Sequence, residues 1–117
     1  MIELQINFRD FLKAADAIGG PMNLEIGPCG VYFVGLGKRA LVPQIIGSVN
    51  SDAQYAGRLC SKNKTEQLVL EIIKVRSELE DSPDILTVKI FPDDVCFTFG
   101  KVIAARCDAH YILMEGV

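Results

Sequence analysis

Hydrophobic and polar residues alternate at the start of the chain, where the even positions from Ile2 to Phe8 are apolar and the odd positions between them are polar. A period of two predicts a half-buried strand. After Phe8 the period changes to that of a helix, which Asn7 is placed to cap and the run Gly19–Pro21 is placed to end. The apolar face of this helix comprises Phe8, Phe11, Leu12, Ala15 and Ile18, and its polar face comprises Arg9, Lys13 and Asp16.

Three short apolar runs follow the helix and predict an antiparallel meander. Met22–Gly27 and Val31–Leu36 are joined by a tight turn, and a third strand is expected over Ala40–Ile46. Pro43 lies inside that third run and cannot donate a ladder hydrogen bond, so it indicates an edge strand or a bulge.

The second half of the chain follows the same order with weaker signals. A helix is predicted over 65–80 with Thr65 as its cap, because Leu68, Ile72, Val75 and Leu79 form one apolar stripe. Leu70 and Ile73 fall off that stripe, and the run is rich in strand formers, so a strand is the alternative. Three strands are then predicted, over Ile85–Phe91, Val95–Phe99 and Val102–Met114, the last with a bend in its middle.

Two ten-residue segments of the chain are similar to each other. Residues 24–33 and 88–97 share Ile, Pro, Val and Phe at equivalent positions, at an offset of 64 (90 − 26). A predicted helix precedes each segment, so we predict one domain over 1–117 with pseudo-repeats at 1–50 and 62–117. The link at 51–61 has the weakest secondary-structure signal of the chain, and 52–60 is interpreted as a short helix or a strand. Two such units have a pseudo-two-fold axis, which favours an assembly or binding scaffold over a pocket enzyme.

Composition narrows the class of protein. A chain of 117 residues and 12.8 kDa, half of them hydrophobic and 23% charged, is long enough to bury a core as one domain. The net charge of −3 argues against a simple basic nucleic-acid binder, although not against positive charge gathered on one face. The start of the chain lacks the pattern of a signal peptide, and no run approaches the ~18 apolar residues of a membrane span. We therefore expect a cytoplasmic protein without membrane contact.

Candidate catalytic and metal-binding groups are few. The four cysteines form no C-x-x-C pair and His110 is the sole histidine, so we expect reduced core cysteines and no zinc. Arg106, Asp108 and His110 share one face of a predicted strand, which favours a charged ladder over a general base. Asp93-Asp94 follows a proline between two strands and is interpreted as a turn, not a metal pair. We predict a non-enzymatic protein with no cofactor and no metal.

The positive charges are concentrated on the predicted helices. Arg9 and Lys13 stand one turn apart on the first helix, and Lys62, Lys64 and Lys74 lie in or near the second. Such bases can contact phosphates without reading sequence. The alternative is an ordinary mixed-charge surface, because several acids are interleaved with these bases: Asp10, Asp16, Glu66 and Glu71.

The ends of the chain resemble those of a DNA sliding-clamp domain. Met1–Lys13 is similar to the opening strand and first helix of a clamp, and Asp108–Met114 is similar to its closing strand, a hydrophobic run that includes Tyr111. The resemblance implies an α+β fold, DNA-clamp-like, with two βαβββ units, an antiparallel sheet wall and two helices on one face. In that family the strands form the outer wall of a ring, and the helices line a hole that holds duplex DNA.

This chain departs from the family in its length. Known clamp rings contain six such domains, carried as two or three per chain, so a chain of one domain would have to form a head-to-tail hexamer. The pocket between clamp domains, where partner peptides dock, has no assignable residues in a single domain.

Three functions remain open from the sequence. The first is a non-enzymatic clamp-like scaffold or processivity factor, self-associated into a ring that contacts duplex DNA phosphates. Its expected contacts are Arg9, Lys13 and Lys74, supported by Lys62 and Lys64. The alternative is a small acidic protein-interaction module, an inhibitor or adaptor, that uses an exposed sheet edge to bind protein partners. The third is a small enzyme with an unrecognised site.

Overall fold

The computed structural model describes residues 2–27, 30–45, 58–60, 62–91, 94–108 and 110–111. These residues form two helices and nine strands, arranged as two antiparallel sheets, so the predicted α+β class is confirmed. The elements are β1 (Ile2–Asn7), α1 (Phe8–Ile18), β2 (Asn23–Gly27), β3 (Gly30–Gly35), β4 (Lys38–Pro43), β5 (Arg58–Cys60), α2 (Lys62–Glu78), β6 (Ile85–Ile90), β7 (Asp94–Phe99), β8 (Val102–Asp108) and β9 (His110–Tyr111).

Each sheet combines strands from both halves of the chain. The first sheet has the order β1-β6-β7-β8, and the second has the order β4-β3-β2-β5-β9. Strand β1 therefore completes the meander of the second half, with Ile6 opposite Leu86. In the same way β5 completes the meander of the first half, with Cys60 opposite Leu24. The opening strands of the two halves are thus exchanged between the sheets.

The two meanders also share their register. Strands β3 and β7 start 64 positions apart (94 − 30) and have equal lengths. In the first hairpin Ile26 lies opposite Val31, and in the second Ile90 lies opposite Val95. The meanders differ where β7 meets β8, because an irregularity at Phe97/Thr98 shifts the pairing by one residue.

Helix α1 has the bounds that its sequence predicts. The Asn7 side-chain Oδ1 accepts hydrogen bonds from the backbone N–H groups of Arg9 and Asp10, at 2.9 and 3.1 Å. Gly19 ends the helix with φ at 70°, and its N–H donates to the Ala15 carbonyl at 3.2 Å. Both ends therefore satisfy backbone groups that a helix otherwise leaves unpaired.

Helix α2 is confirmed as a helix, and the strand alternative for this run is wrong. The helix begins at Lys62, not Thr65, and ends at Glu78, not Glu80. Thr65 is fully buried inside the helix, so its predicted role as the cap is wrong. Leu68, Val69 and Ile72 lie in the core, whereas Leu70 and Ile73 point outward.

The predicted link contains a strand. Residues 58–60 form β5, which pairs with β2 on one side and β9 on the other, whereas 51–57 and 61 lie outside the described residues. After β4, the Ile45 N–H donates to the Gln5 carbonyl at 2.8 Å, and Gln44 forms an isolated antiparallel β-bridge with Ile6. In the first half, the residues after β4 therefore pair with β1. In the second half, β9, which follows β8, pairs with β5. The residues that follow each meander thus pair with the opening strand of the same half.

One hydrophobic core joins both sheets and both helices. Phe11 of α1 lies at its centre, with ring centroids 5.1 Å from Phe33 of the second sheet and 6.2 Å from Phe97 of the first. All three rings are fully buried, as is Ile72 of α2. Because a buried aromatic or aliphatic side chain contributes about 1.5–3 kcal/mol, this cluster fixes the helices against the sheets.

Candidate interaction surfaces

Arg9, the first predicted phosphate contact, forms an ion pair. Its Nε lies 3.6 Å from Oδ1 of Asp84, and both side chains are largely exposed. The same carboxylate oxygen is 3.1 Å from Nη2 of Arg76. A phosphate bound by Arg9 would therefore compete with Asp84 for its guanidinium group.

Arg76 has a structural role that the sequence did not indicate. Its Nε donates to the Pro83 carbonyl at 2.8 Å, and its Nη2 donates to the Ser82 carbonyl at 3.2 Å. The guanidinium carbon lies 4.5 Å from the ring centre of Phe8, in a cation–π contact. The side chain is only 22% exposed. Arg76 therefore connects the turn after α2 to the start of α1.

Lys13 and Lys64 lie in two separate clefts. Each cleft runs between a helix and the last strand of a meander. The cleft of α1 and β4 measures about 410 Å³ and is lined by Asp10, Lys13, Ala14, Ala40, Leu41 and Pro43. The cleft of α2 and β8 measures about 400 Å³ and is lined by Lys64, Gln67, Leu68, Glu71, Arg106 and Cys107. Each lysine shares its cleft with an acid.

The other two predicted bases lie on α2. Lys62 is the first residue of the helix, and its side chain is outside the described set. Lys74 is exposed, and its backbone carbonyl accepts a hydrogen bond from Ser77 Oγ at 2.6 Å. Lys64 and Lys74 are ten residues apart, or about 15 Å along the axis. The described bases are thus distributed over the helix pair, and DNA contact stays a prediction.

A groove of about 470 Å³ lies between the two helices. One wall comes from the end of α1 and the residues after it, and the other wall comes from α2. Its lining residues are Ala15, Asp16, Gly19, Gly20, Met22, Glu66, Val69, Leu70 and Ile73. Leu70 is 65% exposed and Ile73 is 38% exposed. The charged residues among this lining are both acidic, which gives the groove an apolar wall and a negative rim.

Among the described residues, the first sheet is bounded by β1 and β8 and the second by β4 and β9, and β4 and β8 are the edge strands that end the two meanders. Each carries an arginine tied back to a neighbouring strand. Arg39 Nη1 lies 3.0 Å from Glu25 Oε2, and its guanidinium carbon lies 4.2 Å from the Tyr32 ring centre. Arg106 Nε lies 3.3 Å from Asp94 Oδ2.

Apolar side chains on these two strands are uncovered. Leu41 of β4 is 45% exposed, and Ile103 of β8 is 59% exposed. Val102, beside Ile103, is also exposed. Sheet edges usually carry charge or a proline that discourages pairing. Strand β4 has Lys38 and Pro43 at its two ends, whereas Arg39 and Arg106 are turned toward their own sheets, so the aliphatic side chains between the ends of these strands remain exposed.

Groups with chemical reactivity are sparse in the described part of the chain. Cys96 and Cys107 are buried and are not part of a disulfide, as predicted for core cysteines, whereas the side chains of Cys29 and Cys60 lie outside the described set. Across the described residues, no three or more His, Cys, Asp or Glu side chains are grouped so that they could hold a metal ion. In the same part of the chain, no helix has the length and apolar character needed to cross a membrane.

Comparison of this chain with protein-family models, with curated proteins and with solved structures found no match.

Proposed function

We propose that this chain is a non-enzymatic scaffold of clamp-like architecture, whose copies join through the open edges of the two sheets. The order β1-α1-β2-β3-β4 followed by β5-α2-β6-β7-β8 supports the proposal, because it is the twofold βαβββ order that the clamp resemblance implies. The exchange of β1 and β5, together with the shared hairpin register, supports an internal duplication.

The observation that carries the proposal is the pair of open edges. In a duplicated fold, β4 and β8 occupy equivalent positions, and both end a sheet among the described residues. An antiparallel neighbour would satisfy the outward N–H and C=O groups of such an edge and would cover Leu41 or Ile103. Pairing β4 of one copy with β8 of the next is a head-to-tail contact, which closes into a ring or extends into a filament.

A stable interface of this kind needs more than two strands. Specific interfaces bury roughly 800 Å² on each partner, so the clefts that flank β4 and β8 would have to take part. Asp10 and Lys13 flank one cleft, and Lys64 and Glu71 flank the other. The second cleft is also lined by Arg106, so each side offers an acid and at least one base, which allows opposite charges to meet across the contact.

Light scattering coupled to size exclusion tests the proposal. A hexamer would have a mass of about 77 kDa, six times 12.8 kDa, and any other mass that corresponds to two or more chains also supports assembly. Leu41→Glu and Ile103→Glu place a charge on each edge and should each reduce the mass to that of a monomer. Leu70→Glu, an exposed apolar residue away from both edges, is the matched control and should leave the mass unchanged. A wild-type protein that is monomeric at every concentration contradicts the proposal.

Contact with duplex DNA is a second candidate function. It is supported by the exposure of Arg9, Lys13, Lys64 and Lys74 on the two helices. The acids in both clefts and the ion pair of Arg9 reduce the net positive field at these positions, so the expected attraction is weak and sensitive to salt.

A further inference from the structure

We propose that the groove between α1 and α2 is a docking site for a basic amphipathic helix of a partner protein. The groove lies away from both sheet edges, so this inference does not depend on the assembly proposed above.

The apolar side of the groove is a second stripe on α2. Leu68, Val69 and Ile72 of that helix are buried in the core, and a helix needs only one such face to fold onto a sheet. Leu70 and Ile73 are three residues apart and therefore adjacent on the outward surface. An apolar helical pair that stays exposed beside a groove is typical of a binding surface.

The opposite wall of the groove consists of residues with small side chains or none. It is built from Ala15 at the end of α1 and from Gly19 and Gly20, which have little or no side chain. Met22, which is buried, closes the floor next to Val69. Small residues on one wall and aliphatic residues on the other leave a groove of about 470 Å³, in the size range that takes large side chains from one face of a helix.

Charge determines which helix would fit. Asp16 and Glu66 line the groove and are exposed, and neither has an ion-pair partner among the described residues. Asp16 lies in the last turn of α1, where the helix dipole is negative and no basic residue is present. Lys38 approaches this helix end, with its Nζ 3.4 Å from the Ala17 carbonyl, but it is not part of the lining.

This negative rim favours a partner with Lys or Arg beside its apolar face. It disfavours nucleic acid and anionic lipid, whose phosphates would meet two carboxylates. A basic amphipathic helix supplies both the apolar side chains for Leu70 and Ile73 and the cations for Asp16 and Glu66.

The probe for the experiment is a dye-labelled, 18-residue peptide of Leu and Lys at helical spacing, followed by fluorescence anisotropy. Leu70→Ser should weaken binding about tenfold, because a central apolar contact is lost. Asp16→Asn with Glu66→Gln should weaken it several-fold and remove most of its salt dependence. Ile85→Ser is the matched apolar control, because Ile85 is 47% exposed and lies outside the groove and the sheet edges, and Asp81→Asn with Glu78→Gln is the matched charge control. Neither control should change the affinity by more than about twofold.

Three results of these peptide titrations would overturn the proposal. The first is equal binding by wild type and Leu70→Ser, and the second is equal weakening by the two charge pairs. The third is equal affinity for a peptide in which Glu replaces Lys. Hydrogen exchange on the unaltered protein tests the site without any substitution, since the peptide should protect the amides of residues 66–73. Vesicle binding that depends on Leu70, in the absence of peptide binding, would assign the groove to lipid and also refute the proposal. A monomeric mass in light scattering would end the edge proposal and leave this one intact.

Discussion

Arg76 and Asp84 close the turn between α2 and β6, with Nη2 of the guanidinium group 3.1 Å from Oδ1 of the carboxylate. The backbone between them is held as well, because Arg76 binds the carbonyls of Ser82 and Pro83. Ser82 has φ at 44°, a conformation that non-glycine residues rarely adopt. In addition, Phe8 N–H donates to the Asp84 carbonyl at 2.7 Å. One arginine therefore connects the end of α2 to the start of α1.

Replacing Arg76 by alanine should lower the free energy of unfolding by about 2–3 kcal/mol. The change removes three charge-assisted hydrogen bonds, to the carbonyls of Ser82 and Pro83 and to the Asp84 carboxylate, and a cation–π contact with Phe8. Urea denaturation measures the loss. Lys74→Ala, on the exposed side of the same helix, is the control and should change stability by less than about 0.5 kcal/mol. Equal stabilities for the two variants would show that Arg76 is an ordinary surface base.

Asp84→Asn should have a smaller effect, about 0.5–1 kcal/mol, because this carboxylate is half exposed and its ion pairs are screened by solvent. The measurement is again urea denaturation, at low and at high salt. The difference between wild type and variant should shrink as salt rises, since the lost interaction is electrostatic. A salt-independent loss larger than that of Arg76→Ala would contradict this assignment.

Phe11→Ala should destabilise the protein by about 3–5 kcal/mol, because it removes the ring that contacts both Phe33 and Phe97. Phe11→Leu keeps most of the apolar volume and should cost less than half as much. Thermal unfolding followed by circular dichroism distinguishes these outcomes. Similar losses for the two variants would mean that the ring is not the centre of the core.

Gly35→Ala and Gly37→Ala should differ in their cost to stability, although only Leu36 separates the two positions. A Cβ on Gly35 would lie 2.2 Å from the Pro21 carbonyl oxygen, so backbone must move and the cost should be about 3 kcal/mol. At Gly37 the space is open, but φ is 73°, so alanine should cost about 1 kcal/mol through strain alone. Chemical denaturation of both variants gives the comparison. A larger loss of stability for Gly37→Ala than for Gly35→Ala would contradict the close contact between position 35 and the Pro21 carbonyl.

Arg9→Glu with Lys13→Glu tests the DNA proposal. If both bases contact phosphates, the variant should lose most of its affinity for a duplex, and the slope of log K against log salt should become less steep by about 2. Lys89→Glu with Lys101→Glu makes the same change in net charge on the first sheet and should have a much smaller effect. Fluorescence anisotropy at several salt concentrations provides the data. Equal effects of the two pairs, or no duplex binding by the wild type at low salt, would refute the DNA role.

Local signals in the sequence predicted much of the fold. The cap at Asn7, the stop at Gly19 and the period of 3.6 between them were enough to define α1, because all three act within a few residues. The hairpins were also predicted correctly, since alternation and turn residues are short-range features.

Features that depend on distant parts of the chain are predicted incompletely or not at all, and for 52–60 the sequence leaves a short helix and a strand open. Strand β5 has only three residues, and it forms because β2 and β9 provide hydrogen-bond partners on both sides. The sequence indicates a cap at Thr65 because a capping threonine and a buried threonine cannot be distinguished from the sequence alone. The sequence does not predict the groove as a site, although Leu70 and Ile73 fall off the buried stripe of α2. That misfit was the available signal.

The exchange of β1 and β5 has a consequence for how the chain folds. Residues of β1 must find partners in β6 that lie about eighty positions away, so the first sheet cannot close until most of the chain is present. Such long loop closures slow folding and make it cooperative. A cut between 45 and 58 would separate two fragments, each holding a strand that the other one lacks. We expect neither fragment to fold alone, and we expect the two to reassemble when they are mixed.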